Sequence, residues 1–187
     1  IFFRRGDTKA AINEAQLALA STPGHVGAIS ILTEIYRSQD PERALAVIRD
    51  GIERQTHDAT LKLLEASVLE EKGDLSGAAD VYKDLIAEYP ENLFYYYRTV
   101  KFYEQRGLID EAEKLLVEIV KSKPEDYELK LWLAEFLANQ RDLPLAATTL
   151  RNFIDKQPNV YELRSALGKV YRAMGQDDDA LAVYQEI

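Results

Sequence analysis

The sequence predicts an all-α protein built from repeated antiparallel helix pairs, an α-solenoid, and two observations lead to this prediction. Alanine recurs at intervals of 34 residues, at positions 44, 78, 112, 146 and 180. Proline keeps the same interval at Pro90, Pro124 and Pro158, each twelve residues after one of those alanines. A fixed period of this length indicates copies of one supersecondary unit, each of which buries its apolar face against its neighbours.

The copy at 59–92 shows the unit most clearly. A first stripe of apolar residues at helical spacing ends before Gly73 and Asp74. Glycine suits a left-handed helix end, and aspartate caps the start of the next helix. A second apolar stripe begins at Ala78, and Pro90 ends it because proline cannot continue a helix. The unit is therefore predicted to be two antiparallel helices joined by a short turn.

The rest of the chain divides in the same way. One copy is a residue short, because Asp40 and Pro41 replace the glycine turn with a helix cap followed by proline at the first helical position. The chain opens without methionine, and both of its ends fall inside repeats, so we expect a fragment of a longer protein. We predict one solenoid over residues 1–187, with repeats at 1–25 (partial), 26–58, 59–92, 93–126, 127–160 and 161–187 (partial).

Composition argues against several classes of partner. The net charge of −9 opposes binding to nucleic acid and to acidic membrane surfaces, both of which attract positive proteins. The chain has no cysteine, which removes disulfides and thiolate zinc sites. No apolar run approaches the roughly 18 residues that would span a bilayer. We therefore expect no nucleic-acid partner and no direct insertion of this fragment into a membrane.

No group of residues suggests catalysis. His25 and His57 are predicted in surface loops, and neither has a second histidine at the spacing of a metal site. Phosphate-binding glycine loops and nucleophile motifs do not occur. Three aspartates at 177–179 are predicted to place negative charge at the first turn of a helix, where the helix dipole favours it. The sequence therefore predicts no enzyme, no cofactor and no metal.

The order of small, large and glycine positions resembles the tetratricopeptide repeat family. In the last copy the family's slots hold Gly168, Tyr171, Gly175, Ala180 and Tyr184. The resemblance covers the whole chain, and it implies a right-handed superhelix and a role in binding proteins or peptides. The family's early tryptophan is absent, which indicates a divergent member, and its slot holds Lys62, Tyr96, Lys130 and Arg164.

The segment 94–98 departs from a simple amphipathic pattern, because four successive aromatics precede an arginine. Four consecutive residues cover every face of a helix, so they cannot all be core, and Tyr95 is expected to share the buried stripe with Phe102. In the family, certain positions of the first helix line a concave groove. Carried onto two successive copies, these positions include the predicted partner-binding residues, which are Phe94, Tyr97, Arg98, Lys101, Trp132 and Glu135.

Such a surface would be aromatic with a local positive patch, and residues of these types are enriched at binding hot spots. The alternative is that the aromatics pack between neighbouring helices. Some family members hold a partner's C-terminal carboxylate with lysine and asparagine in successive first helices. The matching slots here contain no such pair, so we do not expect this chain to recognise chaperone tails.

The predicted function is a non-catalytic scaffold that binds a protein or extended peptide in its groove. One alternative is a docking or regulatory segment of a larger enzyme or of an envelope export or assembly machine. Another is a structural solenoid that forms homo-oligomers through its unfinished terminal repeats. Stretches 23–36 and 127–147 are similar to repeats of long bacterial proteins, many of them envelope lipoproteins, which favours the periplasm or cell envelope over the cytoplasm.

Overall fold

The computed structural model describes residues 8–54 and 58–186, which form short α-helices with no strand among them. His57 and residues 1–7 lie outside the described residues. In chain order the helices are α1 (Thr8–Ser21), α2 (Val26–Tyr36), α3 (Pro41–Arg54), α4 (Ala59–Lys72), α5 (Leu75–Glu88), α6 (Leu93–Gln105), α7 (Ile109–Ser122), α8 (Tyr127–Gln140), α9 (Leu143–Lys156), α10 (Tyr161–Ala173) and α11 (Asp177–Gln185).

The chain forms two compact units, Ile1–Tyr95 and Tyr96–Ile187, whose boundary falls inside α6. In the first unit each of the helices α1 to α4 packs on the next one, and α2 also packs on α4. In the second unit helices α7 to α11 follow the same scheme, and α8 also packs on α10. Successive short helices that pack on their neighbours confirm the predicted all-α solenoid.

The turns have the chemistry that the sequence predicts. Gly73 ends α4 at φ +84°, a left-handed conformation that glycine adopts without steric cost. Asp74 then caps α5, because its Oδ1 accepts the backbone N–H of Gly77 at 2.9 Å. At the shorter copy, Asp40 Oδ1 accepts the N–H of Arg43 at 3.0 Å. The proline that follows Asp40 is the first residue of α3, as predicted.

The alanines at 34-residue intervals are buried in the core. Those at positions 44, 78, 112 and 146 are completely buried, and Ala180 is 2% exposed. Small residues of the first helices are buried as well, among them Ala66, Ala134 and Gly168. These side chains let helix axes approach, while larger ones such as Leu150 fill the space between the contacts. The prediction that the period marks buried contact positions is confirmed.

Polar side chains at two helix starts show how these ends are stabilised. The three aspartates at 177–179 lie in the first turn of α11, as expected. His25 was predicted as a surface loop residue, and the structure confirms that it is exposed in the loop before α2. Its exposed ring is the N-cap of α2, and Nδ1 accepts the backbone N–H of Ala28 at 3.2 Å. An imidazole that accepts this N–H does the work that serine or aspartate usually does at a helix start.

Candidate functional site

The four successive aromatic residues of α6 lie on different faces of the helix. Tyr95 and Tyr96 are buried, whereas Phe94 is 51% exposed and Tyr97 is 49% exposed. Phe102 is also buried, so the expectation that it shares a stripe with Tyr95 is confirmed. The cause is the turn of about 100° per residue, which points consecutive side chains in different directions. Two large aromatic side chains therefore remain available on the helix surface.

Phe94 belongs to the first unit, near the start of α6. Its ring meets the ring of Tyr95 edge-on, with centroids 5.7 Å apart, and Tyr95 in turn contacts Tyr89 at 5.4 Å. The backbone N–H of Phe94 donates to Asn92 Oδ1 at 3.1 Å. Burial raises the pKa of Tyr95 above its ordinary value, so this phenol stays neutral.

In the second unit, α6 and α8 bring three of the predicted residues together. The rings of Tyr97 and Trp132 lie with their centroids 5.9 Å apart and their planes at 37°. The Lys101 ammonium lies 5.8 Å from the centroid of Tyr97, at the outer range of a cation–π contact. Arg98 and Glu135 are exposed on the same two helices. We call Tyr97, Arg98, Lys101, Trp132 and Glu135 the α6–α8 surface.

The carboxylate of Glu104, three residues further along α6, holds Lys101 in place. Lys101 Nζ donates to Glu104 Oε2 at 2.6 Å, and Gln140 Nε2 donates to Glu104 Oε1 at 3.3 Å. The hydrogen bond to Glu104, with a smaller effect from the charge of Glu135, raises the pKa of Lys101. Lys101 is therefore firmly charged, and Glu104 neutralises part of the positive patch that was predicted.

The described residues offer little basis for metal chemistry. Within 8–54 and 58–186, no three histidine or carboxylate side chains come together in a way that could hold a metal ion. In the same part of the chain, none of the helices has the length and apolar character needed to cross a membrane. The chemistry of the α6–α8 surface is that of aromatic and ionic contact.

Short helix pairs repeated along the chain, with an exposed aromatic surface, define a helical-repeat protein. One tetratricopeptide repeat model matches residues 35–92 and 137–187, and a second matches residues 69–130. The chain belongs to the tetratricopeptide repeat family. Proteins of this family are interaction scaffolds that bind proteins or peptides, which agrees with the general function predicted from the sequence.

Two known proteins show how far the likeness extends. Cellulose synthase operon protein C of Pseudomonas fluorescens (strain SBW25) is 24% identical over 130 residues, which are 68% of this chain and 10% of that protein. The chain thus spans about one tenth of its relative's length. A tetratricopeptide repeat protein from Parabacteroides merdae ATCC 43184 is 21% identical, with a TM-score of 0.56 over 99% of this chain and 74% of that one. This structural likeness supports the fold.

Proposed function

We propose that the chain is a non-catalytic scaffold whose α6–α8 surface binds an extended peptide segment of a partner protein. The observation that supports this proposal best is the pair of adjoining rings, Tyr97 and Trp132, with Tyr97 half-exposed beside a charged lysine. Phe94 lies in the first unit and stays a separate prediction. The family makes a protein or peptide partner the expected class of ligand.

Two physical properties of the α6–α8 surface favour peptide binding, namely its large aromatic contact area and the rigidity of its side chains. Aromatic side chains offer large contact surfaces with few rotatable bonds, and an apolar side chain laid on both rings would remove them from water. Lys101 is fixed by Glu104 at 2.6 Å, so little side-chain entropy is lost when a partner binds beside it. Arg98 and Glu135 offer charges of both signs at the edge, where they favour orientation more than affinity.

The test uses a random peptide library displayed on phage, from which binders of the chain are selected and synthesised with a fluorescent label. The double variant Tyr97→Ala/Trp132→Ala should weaken the best peptide by about 100-fold or more, since hot-spot residues typically contribute 2 kcal/mol or more each. Trp132 is the chain's single tryptophan, so its emission in the wild type reports directly whether the peptide covers it.

The matched control is Tyr161→Ala, which removes another exposed aromatic, 54% exposed at the start of α10. This control should bind the peptide like the wild type. If the double variant keeps its helical circular dichroism and still binds with unchanged affinity, the α6–α8 surface is not the binding site.

A second candidate follows from the relative named for a cellulose synthase operon. We propose that this chain is a scaffold section of an assembly machine at the bacterial cell envelope. Its support is the identity of 24% over 130 residues with that relative. Fractionation of the native organism with an antibody against residues 58–186 tests the location. Recovery with the envelope fraction is expected, and recovery with the cytosol alone would contradict it.

A further inference from the structure

A cleft of about 520 Å³ lies in the second unit between α7, α8 and α9. This volume falls within the range of sites that hold small ligands or a few side chains. Leu145 lines the cleft and is 40% exposed, which is unusual for a large apolar residue. The apolar part of the lining consists mainly of Val117, Val120, Leu133, Leu137, Leu145 and Phe153.

The cleft and the α6–α8 surface lie on opposite sides of α8. Lys130, Leu133 and Leu137 line the cleft and are buried at its base. Trp132 and Glu135 follow Lys130 by two and five residues, which places them roughly on the other side of a helix that turns about 100° per residue. Binding at one surface can therefore be removed by substitution without touching the other.

The carboxylates that line the cleft are already occupied by partners within the chain. Glu113 Oε2 accepts from Arg141 Nε at 2.8 Å. Glu125 Oε2 accepts from Gln157 Nε2 at 2.9 Å, and the same amide group donates to the backbone carbonyl of Glu125 at 3.2 Å. Arg141 thus compensates the charge of Glu113, whereas the charge of Glu125 attracts Lys130 less strongly than burial disfavours the lysine's own charge.

Three lysines, one from each helix, face this cleft. Lys121 and Lys156 are exposed, and within the part of the chain that the structure describes neither forms an ion pair. Lys130 is only 4% exposed. Its ammonium donates to Gln157 Oε1 and lies 5.6 Å from the Phe153 ring. Burial lowers the pKa of Lys130, which shows that its charge is poorly solvated.

A comparison within the chain shows what Lys130 lacks. Lys62 occupies the same position of an earlier repeat, and its ammonium forms an ion pair with the carboxylate of Glu88 at the end of the following helix. Lys130 instead has the neutral amide of Gln157 as its partner, and the position equivalent to Glu88 holds Lys156. An amide compensates less of a buried positive charge than a carboxylate does, so an anion at this place would be strongly favoured.

We propose that this cationic cleft is a second binding site, which takes a short apolar peptide segment with adjoining acidic residues from a partner protein. Apolar side chains would pack on Leu145, the exposed apolar residue of the lining, and be removed from water. Carboxylates would pair with Lys130 in the base and with Lys121 and Lys156 at the rim. Although the chain carries a net charge of −9, the three lysines make the cleft locally positive and therefore complementary to an acidic segment.

The test uses the variant Tyr97→Ala/Trp132→Ala as bait for the displayed peptide library, so that peptides that need the α6–α8 surface are not selected. The expected consensus is an apolar run with neighbouring aspartate or glutamate. The labelled consensus peptide is then titrated by fluorescence anisotropy. Substitution Lys130→Met should weaken it by about tenfold or more, because it removes one partner of a buried charge pair.

Three further measurements complete the design. A peptide in which glutamine and asparagine replace the acids should bind at least about tenfold more weakly to the unsubstituted cleft. The variant Lys121→Gln/Lys156→Gln changes only exposed side chains, so it tests the rim of the cleft without altering its buried base. It should also weaken binding. Lys169→Gln is the matched control, since Lys169 is exposed on α10 and does not line the cleft.

Several results would overturn the proposal: no enrichment of acidic residues in the selected peptides, equal affinity for the neutral peptide, or binding that the lysine substitutions leave unchanged. The two proposals fail separately. Loss of binding in the aromatic variant alone supports the α6–α8 surface, whereas loss in the lysine variants alone supports the cationic cleft.

Discussion

Gly168 provides the sharpest test of how the helix pairs pack. It lies inside α10, where this helix packs on α11, and it is buried. A methyl group at this position would lie 2.4 Å from Tyr184 Cε1, 2.5 Å from Cζ and 3.0 Å from Cδ1. Ordinary contacts of such a carbon are 3.4–4 Å long. The substitution Gly168→Ala therefore requires the Tyr184 ring to move by about 1 Å or the helices to separate.

Two opposing effects set the size of the change in stability. Alanine is favoured over glycine in a helix interior by about 1 kcal/mol. Overpacking of a well-filled contact costs about 1–3 kcal/mol. We expect Gly168→Ala to lower the free energy of unfolding by roughly 0–2 kcal/mol in the wild type. In a Tyr184→Ala background the ring is gone, so the same substitution should raise the free energy of unfolding by about 1 kcal/mol.

Urea unfolding followed by circular dichroism measures this for the wild type, both single variants and the double variant. The expected coupling between the two sites is about 1–3 kcal/mol, which lies within the range of about 0.5–3 kcal/mol found for residues in contact. Equal m-values among the four proteins show that the comparison is of stability alone. A stabilisation of about 1 kcal/mol in both backgrounds would refute the reasoning, because the ring of Tyr184 would then impose no limit at Gly168.

Two further substitutions test polar groups that the packing buries. Tyr82→Phe should lower the free energy of unfolding by about 1–2 kcal/mol, since Tyr82 is fully buried and its hydroxyl donates to Glu70 Oε1 at 2.7 Å. Urea unfolding measures this change. An unchanged free energy of unfolding would show that the hydrogen bond does not stabilise the fold. Lys130→Met should stabilise the chain at neutral pH by about 1 kcal/mol or more. The pKa of Lys130 is lowered in the folded state, so the free energy of unfolding of the wild type increases as the pH rises above that pKa. The difference in free energy of unfolding between the wild type and Lys130→Met should therefore shrink when urea titrations are repeated at alkaline pH.

The turns and contact positions of this fold could be predicted from the sequence because each depends on one or two residues. Gly73 adopts a left-handed conformation that other residues avoid, and Asp74 offers the one acceptor that a helix start needs. The shorter turn at Asp40 was recognisable for the same reason. The role of His25 was not, because capping by a ring nitrogen is rare and depends on the orientation of the side chain.

The candidate surfaces could be predicted only in part. Exposure of Tyr97 follows from the angle between neighbours on a helix, so sequence reasoning found it. The pairing of Lys101 with Glu104 is an ordinary contact three residues apart, and that spacing was the signal for it. Burial of Lys130 could not be predicted, because lysine is almost always exposed and the cleft forms from three separate helices.

Comparison of equivalent positions in the repeats distinguishes residues that the fold requires from residues that are free to serve binding. Because copies share one framework, residues 34 positions apart occupy equivalent places, and a difference between them is not required by the fold. One period before Lys121 stands Ala87, and one period before Lys156 stands Ser122. The helices therefore do not need lysine at either place. At the cationic cleft and at the α6–α8 surface, the side chains differ between repeats while the helices stay the same. These differences are therefore available for the recognition of a partner.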